Sequence, residues 1–318
     1  MTALCHWFVE IRKIDVGTAI KFPILADSMR KLLVILALIT FHFGQCQYLD
    51  LAKIEYAYLP GDNANFEYQR QRVLFNIPFK LNKNSYVFAG LDYSNIQFKH
   101  KEEQDSYDKT NAESFKSLGL TVSYTFQLND DWIFGAQISP SFNSNLEGDL
   151  KREDLLASGL IVFVKDKKGS ASVRKPFRII TGLYYNTNTR LPFPLPFISY
   201  YRKFRPKWSY TIGAPYSNLQ YHLTEKHRLK IYAEGDGFNT SLQNGVIIND
   251  NLLANRLRMF LILTGVRYEY NIAKHVESYI NITRTVFSDV QLRDGKENVF
   301  IPAIDDAMLY RIGVRCKI

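Results

Sequence analysis

Between residues 115 and 142 apolar and polar side chains trade places at every step. Leu118, Leu120, Val122, Tyr124 and Phe126 alternate with Ser117, Gly119, Thr121, Ser123 and Thr125. A repeat of two is that of a strand, with one apolar and one small polar face. The polar turn Asn129-Asp130-Asp131 interrupts it. The pattern then resumes with Trp132, Phe134, Ala136, Ile138 and Phe142 against Gly135, Gln137, Ser139, Ser141 and Asn143, which predicts a hairpin. A soluble sandwich buries such an apolar face in a core, whereas a membrane barrel turns it to lipid and keeps the polar face inside.

The same pattern recurs along the chain. It predicts strands over 51–58, 66–81, 85–98, 115–128, 132–143, 155–164 and 177–185, and shorter ones over 197–201, 208–213 and 219–223. Further strands follow around Leu229 to Asp236 and over 257–270, 276–287 and 308–318. Pro192, Pro194, Pro196, Pro206 and Pro215 punctuate the short segments. Proline donates nothing to a ladder and belongs at strand ends, bulges or loops. The count is fourteen, or twelve if one of the short hairpins is lost; both are even, as a single-chain bacterial barrel requires. The longer gaps, near 60 and over 99–114, 144–154, 187–196, 238–255 and 288–307, all fall at one end. The other end receives short turns near Asn82, Asn129, Pro206, Lys226 and Asn271, with 165–175 the one longer exception. Long outer loops and short periplasmic turns are the connections of an outer-membrane barrel. The fold class expected is all-β, a transmembrane antiparallel up-and-down β-barrel of about 12–14 strands.

Composition supports a barrel over a helical membrane protein. The chain has 318 residues, 14% of them aromatic, with 20 Tyr and 22 Phe, and its mean hydropathy is only −0.18. Alternating lipid contact and aromatic girdles account for both values. The formal charge of +9 is carried by no basic helix or nucleic-acid motif, so the partners expected are outer-membrane lipids and lipopolysaccharide, not nucleic acid. Cys5, Cys46 and Cys316 are too few and too scattered for a disulfide framework or a zinc site. Arg30 and Lys31, the apolar run over 32–43 and Gly44-Gln45-Cys46 have the order of a secretory signal, too short to span a membrane. The domains expected are an upstream extension over 1–28 from a start assigned too early, a signal peptide over 29–46 and one barrel over 47–318. Gln45 stands where a lipoprotein signal needs a small residue, which weighs against lipidation of Cys46.

At the C-terminus Tyr310, Ile312, Val314, Cys316 and Ile318 form an apolar face opposite Arg311, Gly313, Arg315 and Lys317. The run RIGVRCKI resembles the terminal signal read by the barrel-assembly machinery, with Cys316 and Ile318 where aromatics are usual. Together with the leader ending in Gly44-Gln-Cys-Gln47, LPFPLPF at 191–197 and WSYTIGAPYSNLQYHL at 208–223, it makes the chain resemble the uncharacterised outer-membrane β-barrel families of Gram-negative bacteria common in the Bacteroidetes. The resemblance implies a membrane barrel and names neither a reaction nor a cargo.

A Ser–His site needs a serine within reach of a histidine and a third group to orient the ring. Of the histidines after residue 47, His222 alone sits on a polar strand face, beside Gln220 and Thr224, and no serine motif accompanies it. His222 and His227 straddle a turn and point to different ends, which does not make a metal pair. The acidic loop residues Glu102, Glu103, Asp105, Asp305 and Asp306 read as solvated charge. No catalytic, cofactor or metal site is expected. The residues expected on the lumen wall are Arg70, Arg72, Asp92, Arg178, His222, Arg228, Lys230, Glu234, Asp236, Glu277, Arg311 and Arg315. A barrel of 12–14 strands lies between the filled eight-stranded and the aqueous sixteen-stranded kinds. The function expected is therefore a passive pore or small-solute passage with mild anion preference; the alternative is a structural or ligand- or lipopolysaccharide-binding barrel with a closed lumen.

Overall fold

A computed structural model describes residues 50–61, 66–100, 112–167, 176–187, 193–248, 252–294, 297–300 and 306–317, all within the unit Gln47–Ile318. The expected extension over 1–28 and leader over 29–46, with Cys5 and Cys46, lie outside the described residues. The strands are β1 (Asp50–Leu59), β2 (Phe66–Asn82), β3 (Ser85–His100), β4 (Ser114–Gln127), β5 (Trp132–Ser144), β6 (Leu155–Asp166), β7 (Phe177–Asn186) and β8 (Leu195–Arg205). They continue with β9 (Trp208–Gly213), β10 (Tyr216–His222), β11 (His227–Ile248), β12 (Leu252–Asn271), β13 (Val276–Asp294), β14 (Glu297–Phe300) and β15 (Met308–Lys317). Each strand from β1 to β13 pairs antiparallel with the next; β15 pairs with both β13 and β1, and β14 only extends β13. The result is a closed fourteen-stranded antiparallel barrel.

Closure follows from the alternation, because a twisted sheet with one apolar face has no free edge once its ends meet. The outward positions carry Ile54, Phe75, Leu120, Val122, Ile138, Ile161, Ile198, Ile212, Ile231, Ile280 and Ile312, all exposed. Near the short turns this belt becomes aromatic. Phe126 lies 5.2 Å from Phe134 and Phe134 5.3 Å from Phe163; Trp208 lies 4.8 Å from Tyr221. Tyr93, Phe142, Phe260 and Phe287 mark the other edge. Two aromatic rings flanking an apolar band are the mark of a wall that faces lipid.

The wall is uneven in height. The strand β11 has 22 residues and β12 has 20, whereas β9 has 6 and β10 has 7. At ~3.3 Å per residue and a tilt near 45°, β11 rises roughly 50 Å along the axis, about twice the ~25 Å apolar band, while β9 rises only about 14 Å. Two expectations change accordingly. The gap over 238–255 is mostly strand; its Gly, Asn, Ser and Thr residues read as loop because strands that project beyond lipid need no apolar face. The sorting of loops by length also fails once, since β9 and β10 are joined at the loop end by Ala214 and Pro215 alone. The wall therefore has a notch above β9 and β10. The three short strands at 197–223 are all retained, so the count is fourteen and not twelve.

Candidate functional site within the barrel lumen

Inward positions alternate with the lipid-facing ones, and the charged inward residues of β1, β2, β11, β12, β13 and β15 form one connected set. Arg70 donates to Asp236 at 3.0 and 3.1 Å and lies 3.5 Å from Glu55, which Lys53 approaches to 2.9 Å. Arg311 holds both Asp236 and Glu234. Arg267 lies 3.6 Å from Glu234 and 4.0 Å from Glu269. Around Glu269 gather Arg228 at 3.0 Å, Lys230 at 2.6 Å and Arg315 at 3.1 Å. Glu277 closes the set with Arg228, with Arg315 at 2.5 Å and with Lys317 at 2.7 Å. Eight cations thus meet five carboxylates. Arg72 and Asp92 form a separate pair at 2.5 Å.

Ten of the twelve residues expected on the lumen wall fall in these two groups. The other two stand apart. Arg178 lies on β7, opposite Asp166 in the ladder. His222 lies on β10, where its Nε2 is 3.0 Å from the Ser209 hydroxyl and 3.0 Å from the Gln220 amide nitrogen. The sequence reading gave His222 no serine partner, and the antiparallel β9–β10 register supplies one. The other neighbour of the ring is an amide, Gln220, and not the carboxylate that orients a catalytic histidine. Missed altogether were Lys53, Glu55, Arg267, Glu269 and Tyr279. Their signal was legible, because Lys53 and Glu55 alternate with Ile54 and Tyr56, and Arg267 and Glu269 with Val266 and Tyr268.

One glycine lets this set close. Gly313 on β15 faces inward, and a Cβ there would meet the Tyr279 ring at 2.5 Å. The space instead admits Tyr279 from β13, whose hydroxyl donates to Glu55 on β1 at 2.6 Å. Arg267 lies over the rings of Tyr232 at 4.8 Å and Tyr279 at 5.2 Å, which adds cation–π attraction to its hydrogen bond with Asn281 at 2.9 Å. Such buried networks add little net stability over an apolar filling, but removing one partner costs about 3–5 kcal/mol.

Towards the loop end the filling turns apolar. Phe66, Tyr68, Phe98, Phe115, Leu257, Met259, Leu261, Leu263, Leu292 and Leu309 are buried together, with Phe238 of β11 packed 5.6 Å from Phe98 and 6.2 Å from Phe115. Above Gly235 the strand β11 has no β10 beside it, and it leans across the lumen to pair in parallel with β5 at Ser241 and Ser144. A register shift between Ser241 and Val246 contains Gly245, whose φ of +66° glycine adopts without strain. Polar contacts hold the crossing. Gln243 donates to Asp154 at 2.7 Å and to the Asp149 carbonyl at 3.0 Å, and accepts from the Gly148 N–H at 2.7 Å. Ser241 also donates to Asp154. Burial pushes the Asp154 carboxyl up, but hydrogen bonds from the Lys151 N–H, Ser241 and Gln243 outweigh it and hold the group below the usual carboxylate range. At the turn end, hydrogen bonds from Lys165 and Lys167 hold Asp131 at about 2.

The crossing divides the lumen. On β12 and β13 the inward Glu269, Tyr279, Asn281 and Thr283 are at most 2% exposed. On β4 to β9 the inward Thr121, Gln137, Ser139, Leu160, Val162, Ser199, Tyr201 and Thr211 are only half-buried, and Tyr184, inward and level with Leu160, is 39% exposed. One side of the barrel is filled; on the other, Ser123, Val164 and Ser209 are buried but most inward side chains border open space. Under the crossing that space widens into a cavity of about 340 Å³ between β11 and the loop-end halves of β2 to β7. Among the described residues no group of three or more His, Cys, Asp or Glu side chains could hold a metal ion.

A closed antiparallel barrel with an apolar outer belt, two aromatic rings and a charged, half-filled interior is the structural class that these features define. The chain belongs to the family described as a domain of unknown function, DUF6268, whose model matches residues 43–311. No curated protein matches it. Among solved structures it is similar to the COG4313 outer membrane channel from Pseudomonas putida F1, at 12% identity and a TM-score of 0.44, over 86% of this chain and 98% of that one. It is also similar to the NanC porin, at 10% identity and 0.38 over 84% and 100%, and to the KdgM porin in complex with disordered oligogalacturonate, at 10% and 0.35 over 84% and 99%.

Proposed function

We propose that this protein is an outer-membrane barrel that passes small polar solutes along the open half of its lumen. The observation that carries the reading is the contrast between the inward residues of β4 to β9, most of them only partly buried, and the buried ones of β12 and β13. An axial pore on the central line is blocked at the loop end by the apolar packing around Phe238, so the route runs off-centre, beneath the crossing of β11 and beside the notch above β9 and β10. The long loops then face outward and the short, lysine-rich turns face the periplasm, with β15 presented to the assembly machinery. The filled half acts as a fixed wall of charge. Its eight cations and five carboxylates leave a surplus of three positive charges, which favours anions where water is scarce and screening weak.

A second reading, a closed barrel that only binds, draws on the same apolar packing and on the docking of β11 to β5. Single-channel recording in planar bilayers separates the two. The passage reading predicts a small ohmic conductance and, in a salt gradient, a reversal potential on the anion side. Silence across many insertions of heat-modifiable, folded protein would promote the binding barrel, and cation selectivity would overturn the charge assignment of the wall.

A further inference from the structure

We infer that the cavity under the β11 crossing is a binding site for a neutral hydroxylated solute, a short saccharide. Its volume of about 340 Å³ lies at the lower end of the roughly 300–1,000 Å³ of small-molecule sites, a size for one or two rings and not for a polymer. The charges at its base cancel. Arg70 is engaged by Asp236 and Arg72 by Asp92, so an anion entering finds guanidinium groups already neutralised by carboxylates. What remains is hydrogen-bonding capacity; the third lining cation, Lys116, is exposed and lies on the outward parity of Leu118 and Leu120. The hydroxyls of Ser94, Ser117, Ser141 and Ser158 line the space with the amides of Asn143 and Asn239, and the Asn143 amide donates to Ser141 at 2.8 Å, which fixes the direction of both groups. Phe115 and Phe238 supply apolar surface against the same cavity. Hydroxyl and amide groups on one side with aromatic carbon on the other match a sugar ring, whose C–H face is apolar and whose edge is a set of hydroxyls.

Access to the site rests on the passage reading, whereas binding does not. The test uses the full folded barrel in a sugar-free zwitterionic detergent, with heat modifiability checked for every variant. Calorimetric titration with maltose and cellobiose should show binding of at least one of them, and digalacturonate should bind more weakly than the neutral sugar that binds. Phe238→Ala should weaken the neutral ligand by about tenfold, the scale of one buried aromatic contact. Because Phe238 also packs in the apolar core, the Ser141→Ala, Ser158→Ala double variant provides a second reading; it leaves that core intact and should also weaken binding. Preferred binding of digalacturonate, or no binding of either neutral sugar by the folded barrel, would overturn the site, and conduction by that same barrel would leave the passage standing. Binding of a neutral disaccharide by a barrel that never conducts would keep the site and overturn the passage.

Discussion

Replacing Asp154 by Ala should release the β11 crossing. The carboxylate is 1% exposed and accepts from the Lys151 N–H at 2.9 Å, from Gln243 at 2.7 Å and from Ser241. Alanine removes both carboxylate oxygens, Oδ1 that accepts from Ser241 and Oδ2 that accepts from Gln243, so both bonds that tie β11 are lost. Hydrogen bonds to a charged group contribute about 1.5–3 kcal/mol each. Taking the low end for both, because the mouth of the barrel is wet, gives a loss of about 3 kcal/mol and an undocked population raised about a hundredfold. Native-state hydrogen exchange reads this directly, since amides between Thr240 and Val246 exchange through local opening. Exchange there should quicken by about two orders of magnitude in Asp154→Ala and stay unchanged in β4. The pH dependence has a definite sign. The folded carboxyl lies below its unfolded value, so the docking contribution is fully present above about pH 4 and is lost as pH falls through the lower, folded value. Wild type should hold its protection from pH 7 to 5 and lose it only in stronger acid. Unchanged exchange in the variant, or loosening of wild type near pH 6, would refute the role given to Asp154.

Other substitutions probe the filled half. Asp236→Asn leaves Arg70 and Arg311 short of a partner and should cost about 3–5 kcal/mol, read as a lower temperature for conversion of the compact to the unfolded gel form; a midpoint equal to that of wild type would count against the network. Gly313→Ala places a Cβ against the Tyr279 ring, 2.5 Å away, and should cost about 1–3 kcal/mol by overpacking with weakened contact between Tyr279 and Glu55. A silent Gly313→Ala would mean that the ring is free to move aside.

The membrane wall was legible because its rule is local. Each strand that meets lipid alternates strictly, as in Leu118 to Phe126, and the inward parity of Arg70, Asp92, Lys230 and Arg311 follows from that count alone. What the alternation could not give is how the lumen is filled. Phe66, Tyr68, Phe98 and Phe115 are apolar on an inward face, a placement that contradicts the simple polar-inside rule and needs Phe238 from a distant strand to make sense. The crossing was hidden for a related reason. The segment from Gly235 to Gly245 carries turn-forming residues, and nothing local records that β11 outlasts β10 or that β5 supplies a partner for its edge. The charges gave a mixed result, since Arg267 and Glu269 obey the same alternation as Arg228 and Lys230 yet lie among Val266, Tyr268 and Tyr270, where the apolar residues dominate the reading.

The divided lumen is tested most directly by cysteine accessibility. In a background with the three native cysteines replaced by serine, single cysteines at Thr121 and Ser139 report on the open half, and at Asn281 and Thr283 on the filled half. A small charged thiol reagent added to the folded barrel in a planar bilayer should modify the first two and lower the current, while the second two should react only after unfolding. Equal reaction at all four positions, or reaction at Asn281 and Thr283 alone, would contradict the account.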